Sequence, residues 1–405
     1  MSNGLMKVIR WSRELIANGF KVKSLCKESS PKLQTHQEKL HLSRTRNRAR
    51  MDHSKNSVLS LTVLSLLSSA VILLCFLSAT RFPRPCPAPN PASVHAPADG
   101  LGSALARAAM PDKTLIIAVV NGAYAEQGVE SDKTMLGLFL ESFWLGEGTR
   151  GLLDHVLVVA VDEAAHRRCL FQRLHCYRLE TEGVDFGGEA VYMSKGFVRM
   201  MWARTQFLTE VLRRGYSFIF TDTDVMWLRN PFARLSRNQS VDLQISTDLF
   251  NGDPRPEKNL INTGFYFVRS NNKTVALFEA WYAQKDNATG KKEQDVLQDL
   301  AREGAFGELG LNVRFLDTRY FSGFCQDSKD IRAVCTVHAN CCRSIGAKTL
   351  DLTAVLQDWK RFRQSDKEEN AAVGGVNGTA APYRWSDHVG CSKSWKRVGN
   401  STLIS

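Results

Sequence analysis

The chain has 405 residues, enough for two domains or for one large α/β domain with appendages, and either can bury a sizeable core. Its net charge of +12 resembles that of a nucleic-acid binder, but residues 1–56 hold 13 Lys or Arg against 4 Asp or Glu, so most of the excess is one local tail. That distribution argues against a basic surface spread over the folded part, and no nucleic-acid partner is expected.

After the tail, Lys55 and Arg81 enclose 25 uncharged residues (NSVLSLTVLSLLSSAVILLCFLSAT). About 20 residues of helix span a bilayer. The preceding RTRNRARMDHSK is far more basic than the following flank, which puts the N-terminus in the cytosol and the rest in the lumen or outside. A cleaved signal peptide, with translation starting at Met51, is the competing reading, although the apolar run is long for one. Sequons at Asn238, Asn272, Asn287, Asn377 and Asn400 all follow the span, and so do eight of the ten cysteines, an even number suited to an oxidising compartment. The layout expected is a basic tail (1–56), a transmembrane signal-anchor (57–80), a Pro-rich stem (81–112), a catalytic domain (113–365) and a flexible C-terminal extension (366–405).

The stem carries six prolines from Pro83 to Pro97 and reads as an extended spacer. From Lys113, TLIIAVVN and HVLVVAVD are near-continuous β-branched runs, as in buried strands of a mostly parallel sheet, and KTMLGLFLESFWLG between them has helical spacing. SKGFVRMMWARTQFLTEVLRRG is a helix with Ser194 as cap and Gly215 as stop. Arg204 falls on its apolar stripe and needs a partner there, either a structural carboxylate or a bound anion. The helix feeds FIFTDTDVMWL, residues 218–228. Strand alternation turns Asp222 and Asp224 to one face at the exit of a central strand, where ligands of open α/β sheets gather. Strands follow at DLQIST, TGFYFVRS and LNVRFLD, with helices at TVALFEAWYAQ and EQDVLQDLARE. A short bridge between Cys169 and Cys176 has suitable spacing, while WSDHVGCSKSW near the end is placed to pack back through Cys391.

Two converged carboxylates repel unless a cation joins them, and hard oxygen ligands suit Mg²⁺ or Mn²⁺. Two reactions use such a site. In sugar transfer the ion holds the diphosphate of a nucleotide-sugar and neutralises the leaving group; in a haloacid-dehalogenase-type phosphatase Asp222 is the nucleophile and Asp224 the acid/base. The phosphatase also requires a second acidic metal pair after a buried strand, which is not evident, and the bulky Met226 and Trp227 suit it poorly. NTGFYF offers Asn262 and Gly264 at a strand start for sugar hydroxyls, and Glu293, Gln294 and Asp295 open a helix with polar groups. His338 in VHANCC is a candidate third ligand. A zinc site from Cys335, Cys341, Cys342 and His338 lacks paired C-x-x-C spacing.

The ordered motifs RMMWARTQFLTEVLRRGYSFIFTDTDVMWLRNPF, FNGDP, INTGFYFVRSNNKT, EQDVLQ, VRFLDTRYFSGFC and VCTVHANCC, within residues 113–365, resemble the plant nucleotide-diphospho-sugar transferase family. This is the group with rhamnogalacturonan II xylosyltransferases and extensin arabinosyltransferases, often called glycosyltransferase family 77. The resemblance implies a GT-A, Rossmann-like α/β fold and a Golgi type II membrane enzyme. It implies retaining transfer of a sugar, a pentose such as xylose or arabinose, from a UDP-sugar to a cell-wall polysaccharide or glycoprotein, with a place in a glycosyltransferase complex. Carried over, Asp222, Asp224 and His338 would hold Mn²⁺ (or Mg²⁺). Arg204, Asp222, Asn262 and Gly264 would bind the donor, and Gln294 and Asp295 would be catalytic, with Gln294 nearest the anomeric centre. A non-catalytic assembly subunit with a degenerate fold is the remaining alternative.

Overall fold

The computed structural model describes residues 99–126, 133–180, 186–188, 193–254, 259–371 and 383–399, all within the compact unit Ser93–Ser405. The basic tail, the span at 57–80, the stem as far as residue 98, and the sequons at Asn377 and Asn400 lie outside the described residues. Among the described residues no helix is long and apolar enough to cross a membrane.

The folded part starts earlier than Lys113. Helix α1 (Gly100–Ala108) occupies part of the expected stem, with Asp99 Oδ1 accepting from Gly102 N at 2.7 Å. Its Leu101, Ala104, Leu105 and Ala108 are buried, the i, i+3, i+4, i+7 face of a core-packed helix. The prolines end at Pro97 or resume only at Pro111, so nothing in 99–109 blocks a helix.

Next come β1 (Thr114–Val120), α2 (Gly122–Ala125), α3 (Met135–Leu145), β2 (Val156–Ala160), α4 (Glu163–Phe171), β3 (His175–Arg178), α5 (Lys195–Arg213), β4 (Ser217–Thr221) and β5 (Val225–Trp227). They are followed by β6 (Leu243–Leu249), β7 (Leu260–Val268), α6 (Asn272–Ala283), α7 (Glu293–Arg302), α8 (Ala305–Glu308), β8 (Val313–Phe315), β9 (Phe321–Gly323), β10 (Thr336–His338), α9 (Ile345–Ala371) and α10 (Val389–Gly399). The large sheet runs β3-β2-β1-β4-β7-β6-β8. Its first four strands are parallel, β7 is antiparallel to both β4 and β6, and β8 is parallel to β6, so the sheet is mostly parallel, as expected, with β7 alone reversed. Both faces are covered. Ile116, Ala118 and Val120 of β1 join one core and Leu115 and Ile117 the other, which is why such strands read as unbroken apolar runs.

A second sheet, β5-β10-β9, hangs from the exit of β4. Met226 and Trp227 are fully buried, Trp227 stacking on Phe143 with ring centroids 4.7 Å apart, so the apolar residues after the aspartates anchor this small sheet. Helix α9 buries Leu352, Val355, Leu356, Trp359 and Phe362 on the same core and runs past residue 365 to Ala371. The described parts of the 366–405 extension, expected to be flexible, are structured, and WSDHVGCSKSW packs back through Cys391 as its sequence suggested. Tyr383 and Trp385 pack on the core, and α10 is tied down by the Cys342–Cys391 disulfide and by Gly390 N and Cys391 N donating to Asp351 at 3.0 and 2.7 Å. Among the described residues the other bridges are Cys169–Cys176, as spacing suggested, and Cys325–Cys341. With Cys341 and Cys342 so bonded, and the Cys335 thiol pushed up to about 11 by burial, the cysteine-rich loop has no zinc ligand set.

Candidate active site

Four strand ends meet at one edge of the large sheet. β1 exits at Asn121, β4 at Asp222 and β6 beyond Asp248, and the antiparallel β7 enters there through Asn262, Thr263 and Gly264. A cavity of about 360 Å³ opens over this edge, roofed by His338 of the small sheet and by the start of α9.

The aspartates converge by a different route from strand alternation. β4 ends at Thr221, and Asp222 to Val225 form a turn in which Val225 N donates to Asp222 O at 3.2 Å. Asp222 N donates to Gly264 O at 2.7 Å, which fixes the turn against β7. One ligand atom each from Asp222, Asp224 and His338 then lie within 4.8 Å of one another. His338 is brought there by β10, paired with Val225 in β5. Gly264 is required by this closeness: a Cβ on it would lie 2.3 Å from His338 Cε1 and 2.9 Å from Asp222 Oδ2.

Each aspartate has its own cation. Asp222 Oδ1 accepts from Arg204 Nη1 at 3.0 Å, and Arg204 Nη2 also donates to Glu293 Oε1 at 2.6 Å. The charge on the apolar stripe of α5 is therefore compensated by carboxylates, and it still borders the cavity. Burial raises the Asp222 carboxyl above the usual range; Arg204 opposes this and the Asp224 charge adds to it. Asp224 is more enclosed. Its Oδ2 accepts from Lys348 Nζ at 2.6 Å and its Oδ1 lies 3.4 Å from His338 Nε2. Burial alone would raise its carboxyl, but Lys348 and His338 outweigh that and hold it well below the usual range. Conversely, burial would lower both His338 and Lys348, yet Asp224 pushes each above its ordinary value.

The second half of the cleft is polar and is organised around Asp248. Asp248 Oδ1 accepts from Asn262 Nδ2 at 2.7 Å and from Asn340 Nδ2 at 2.8 Å. Gln294 Oε1 accepts from Thr263 N at 3.1 Å, leaving its amide facing Asp248 Oδ2 at 3.5 Å. Asn262 and Gly264 lie inside β7 rather than at its start. Glu293 Oε1 also accepts from Thr263 Oγ1, while Oε2 is buried without a hydrogen-bond partner.

Of the residues singled out from sequence, Arg204, Asp222, Asp224, Asn262, Gly264, Gln294 and His338 all line this cavity. Asp295 does not, and its expected catalytic place is corrected: its Oδ2 accepts from Lys292 N at 3.2 Å and caps the first turn of α7, because it lies one residue around the helix from Gln294. Lys348 and Asp248 were missed. Lys348 stands on the buried stripe of α9, four residues before Leu352 and seven before Val355, the signal that singled out Arg204. Asp248 sits at the carboxyl end of a strand, as the motif aspartates do. The sequons at Asn238, Asn272 and Asn287 are exposed, and none borders the cavity.

Residues 151–352 match the family model described as nucleotide-diphospho-sugar transferase. The Arabidopsis thaliana protein At1g28695 is 56% identical over 301 residues, 74% of this chain and 85% of that protein. A second from that plant, At4g15970, is 38% identical over 296 residues, 73% of this chain and 74% of that protein. The Arabidopsis β-arabinofuranosyltransferase RAY1 is 29% identical over 211 residues, 47% of this chain and 39% of that protein.

Proposed function

The chain belongs to the nucleotide-diphospho-sugar transferase family and is a glycosyltransferase, and from that premise we propose that it transfers a pentose, xylose or arabinose, from a UDP-sugar to a cell-wall polysaccharide or glycoprotein. The proposal includes retention of configuration, anchorage in the Golgi membrane with the domain in the lumen, and work within a glycosyltransferase complex. The observation that carries the reaction class is the cluster of Asp222, Asp224 and His338 at the exit of β4. Two carboxylates and an imidazole, with two carboxylate charges close together, fit a hard divalent ion such as Mn²⁺ or Mg²⁺. When bound there, the ion supplies charge neutralisation for the departing diphosphate.

The protein's own groups do the positioning. Lys348 and Arg204 flank the aspartates from opposite sides and fix their carboxylates, and both cations border the space a diphosphate would fill. Asn262, Asp248 and Gln294 hold the sugar, with Gln294 kept in orientation by Thr263. The Gln294 amide is a weak nucleophile, Glu293 is bound to Arg204 and Asp248 is held by Asn262 and Asn340, which favours departure and attack on one face of the sugar over a protein nucleophile. The phosphatase alternative fares worse: Asp222 is held by Arg204, and an Asp224 carboxyl depressed by Lys348 is a poor proton donor at neutral pH. The similarity to RAY1, and to the Arabidopsis arabinosyltransferase RRA2 at 29% identity over 91 residues, supports the pentose choice.

The test is UDP release by the full chain in detergent with Mn²⁺ and UDP-xylose or UDP-arabinose. Activity is expected to require the ion and to fall about a hundredfold or more in Asp224→Asn, the usual cost of removing one group that stabilises developing charge. No turnover of either donor, or undiminished activity in the variant, would sink the assignment.

A further inference from the structure

The last helix returns to the mouth of the cleft. Trp395 on α10 borders the cavity beside Cys341, Cys342 and Arg343, yet it is 45% exposed. An indole left half in water forgoes much of its burial energy, and a flat aromatic ring lining a pocket is free to cover a ligand there. This one is also held rigidly. Trp395 Nε1 donates to Cys341 O at 2.7 Å, and the Arg343 guanidinium lies 3.6 Å from the ring centroid. Arg343 N donates to Ser394 Oγ at 3.2 Å, and Cys391, one turn earlier on α10, is bonded to Cys342. Arg343 covers one face, so the exposure belongs to the other face and the edge.

We propose that the free face of Trp395 is an acceptor subsite, a platform on which a saccharide ring of the acceptor stacks as its hydroxyl enters the cleft. This rests on the transferase reading above. The C–H face of a sugar ring is apolar while its hydroxyls point outward, so a flat indole buries the first and leaves the second in water. Position favours the acceptor over the nucleobase. Trp395 is bonded to Cys341, whose neighbour Asn340 donates to Asp248 at the end of β6. That sets the platform toward the β6–β7 half of the cleft. Nucleotides in such sheets take the β1 side, where Asn121 and Tyr124 stand. Residue 395 also lies beyond the 151–352 stretch matched by the family model, so the shared part of the site does not specify it.

The experiment measures binding by the full chain, in detergent with UDP and Mn²⁺, to an immobilised panel of plant cell-wall oligosaccharides. The parent is expected to bind at least one member. Trp395→Leu keeps apolar bulk without a flat face and is expected to raise Kd for that member about tenfold, with UDP affinity unchanged. Trp395→Phe keeps a ring without the Nε1 donor and retains most of the affinity, which separates stacking from a folding defect. Equal oligosaccharide affinity in Trp395→Leu, or binding of no panel member, overturns the platform. A matching loss of UDP affinity assigns the ring to the nucleobase and overturns it as well. If the parent fails to bind UDP and Mn²⁺ at all, the transferase reading fails first and takes the platform with it.

Discussion

Lys348 and Arg204 meet the same need from opposite sides of the strand exit. Each stands on the apolar stripe of a long helix and each ends on one of the two aspartates. Removing one partner of such a buried pair strands the other, at a cost of about 3–5 kcal/mol. For Lys348→Met in metal-free protein the sign with pH follows from Asp224. Its folded value lies below its unfolded one, so in the parent the pairing contributes stability above pH ~4, the ordinary carboxylate range, and loses it only as pH falls toward the folded value. Without Lys348 the Asp224 value rises and the variant takes up its proton at higher pH. The drop in melting temperature relative to parent is therefore expected to be large at pH 7 and smaller by pH 4. A drop independent of pH would show that Asp224 is not the charge Lys348 serves. At this scale the sequence was readable wherever one rule applied alone: a charge on an apolar stripe identified Arg204 and applies equally to Lys348. It failed for Asp295, because adjacent residues at a helix start point in different directions and only one of Gln294 and Asp295 can face the cleft.

Among the elements, long periodic segments were legible and short ones were not. The helix at 195–213 and the strands at 114–120 and 156–160 fall where their patterns put them. The three-residue strands β5, β9 and β10 are too short to show a period, so nothing in VCTVHANCC announced that pairing to β5 would carry His338 to Asp224. The return of α10 through Cys391 was legible, but its anchor was not, because the pairing of Cys391 with Cys342 is a connectivity no spacing reveals. That bridge joins residues 49 apart, and closing such a loop contributes about 4 kcal/mol on a chain-entropy account. In Cys342→Ser/Cys391→Ser, amide hydrogen exchange at 389–399 is expected to lose most of its protection while β1 and β4 keep theirs. Unchanged protection would mean that Asp351 and the Trp395 contacts hold α10 without the bridge.

At the scale of the whole molecule, the order of apolar runs gave the α/β class but not the reversal of β7, since an antiparallel strand buried on both faces has the same apolar pattern as a parallel one. Composition located the tail and the 57–80 run, and the topology they imply makes a separate claim about the folded unit. Asn238, Asn272 and Asn287 are exposed on the entry to β6, on the first turn of α6 and just after that helix, and all stand clear of the cavity. A lumenal domain would meet the oligosaccharide-transferring machinery with these three acceptors accessible, and glycans there would leave the cleft open. The full chain expressed in plant cells is therefore expected to migrate faster after enzymatic deglycosylation, with Asn238→Gln, Asn272→Gln and Asn287→Gln each removing one step of that shift. Glycan on these positions requires passage through the secretory pathway, so a chain whose mobility is unchanged by deglycosylation would contradict the lumenal placement while leaving the chemistry of the aspartate cluster untouched.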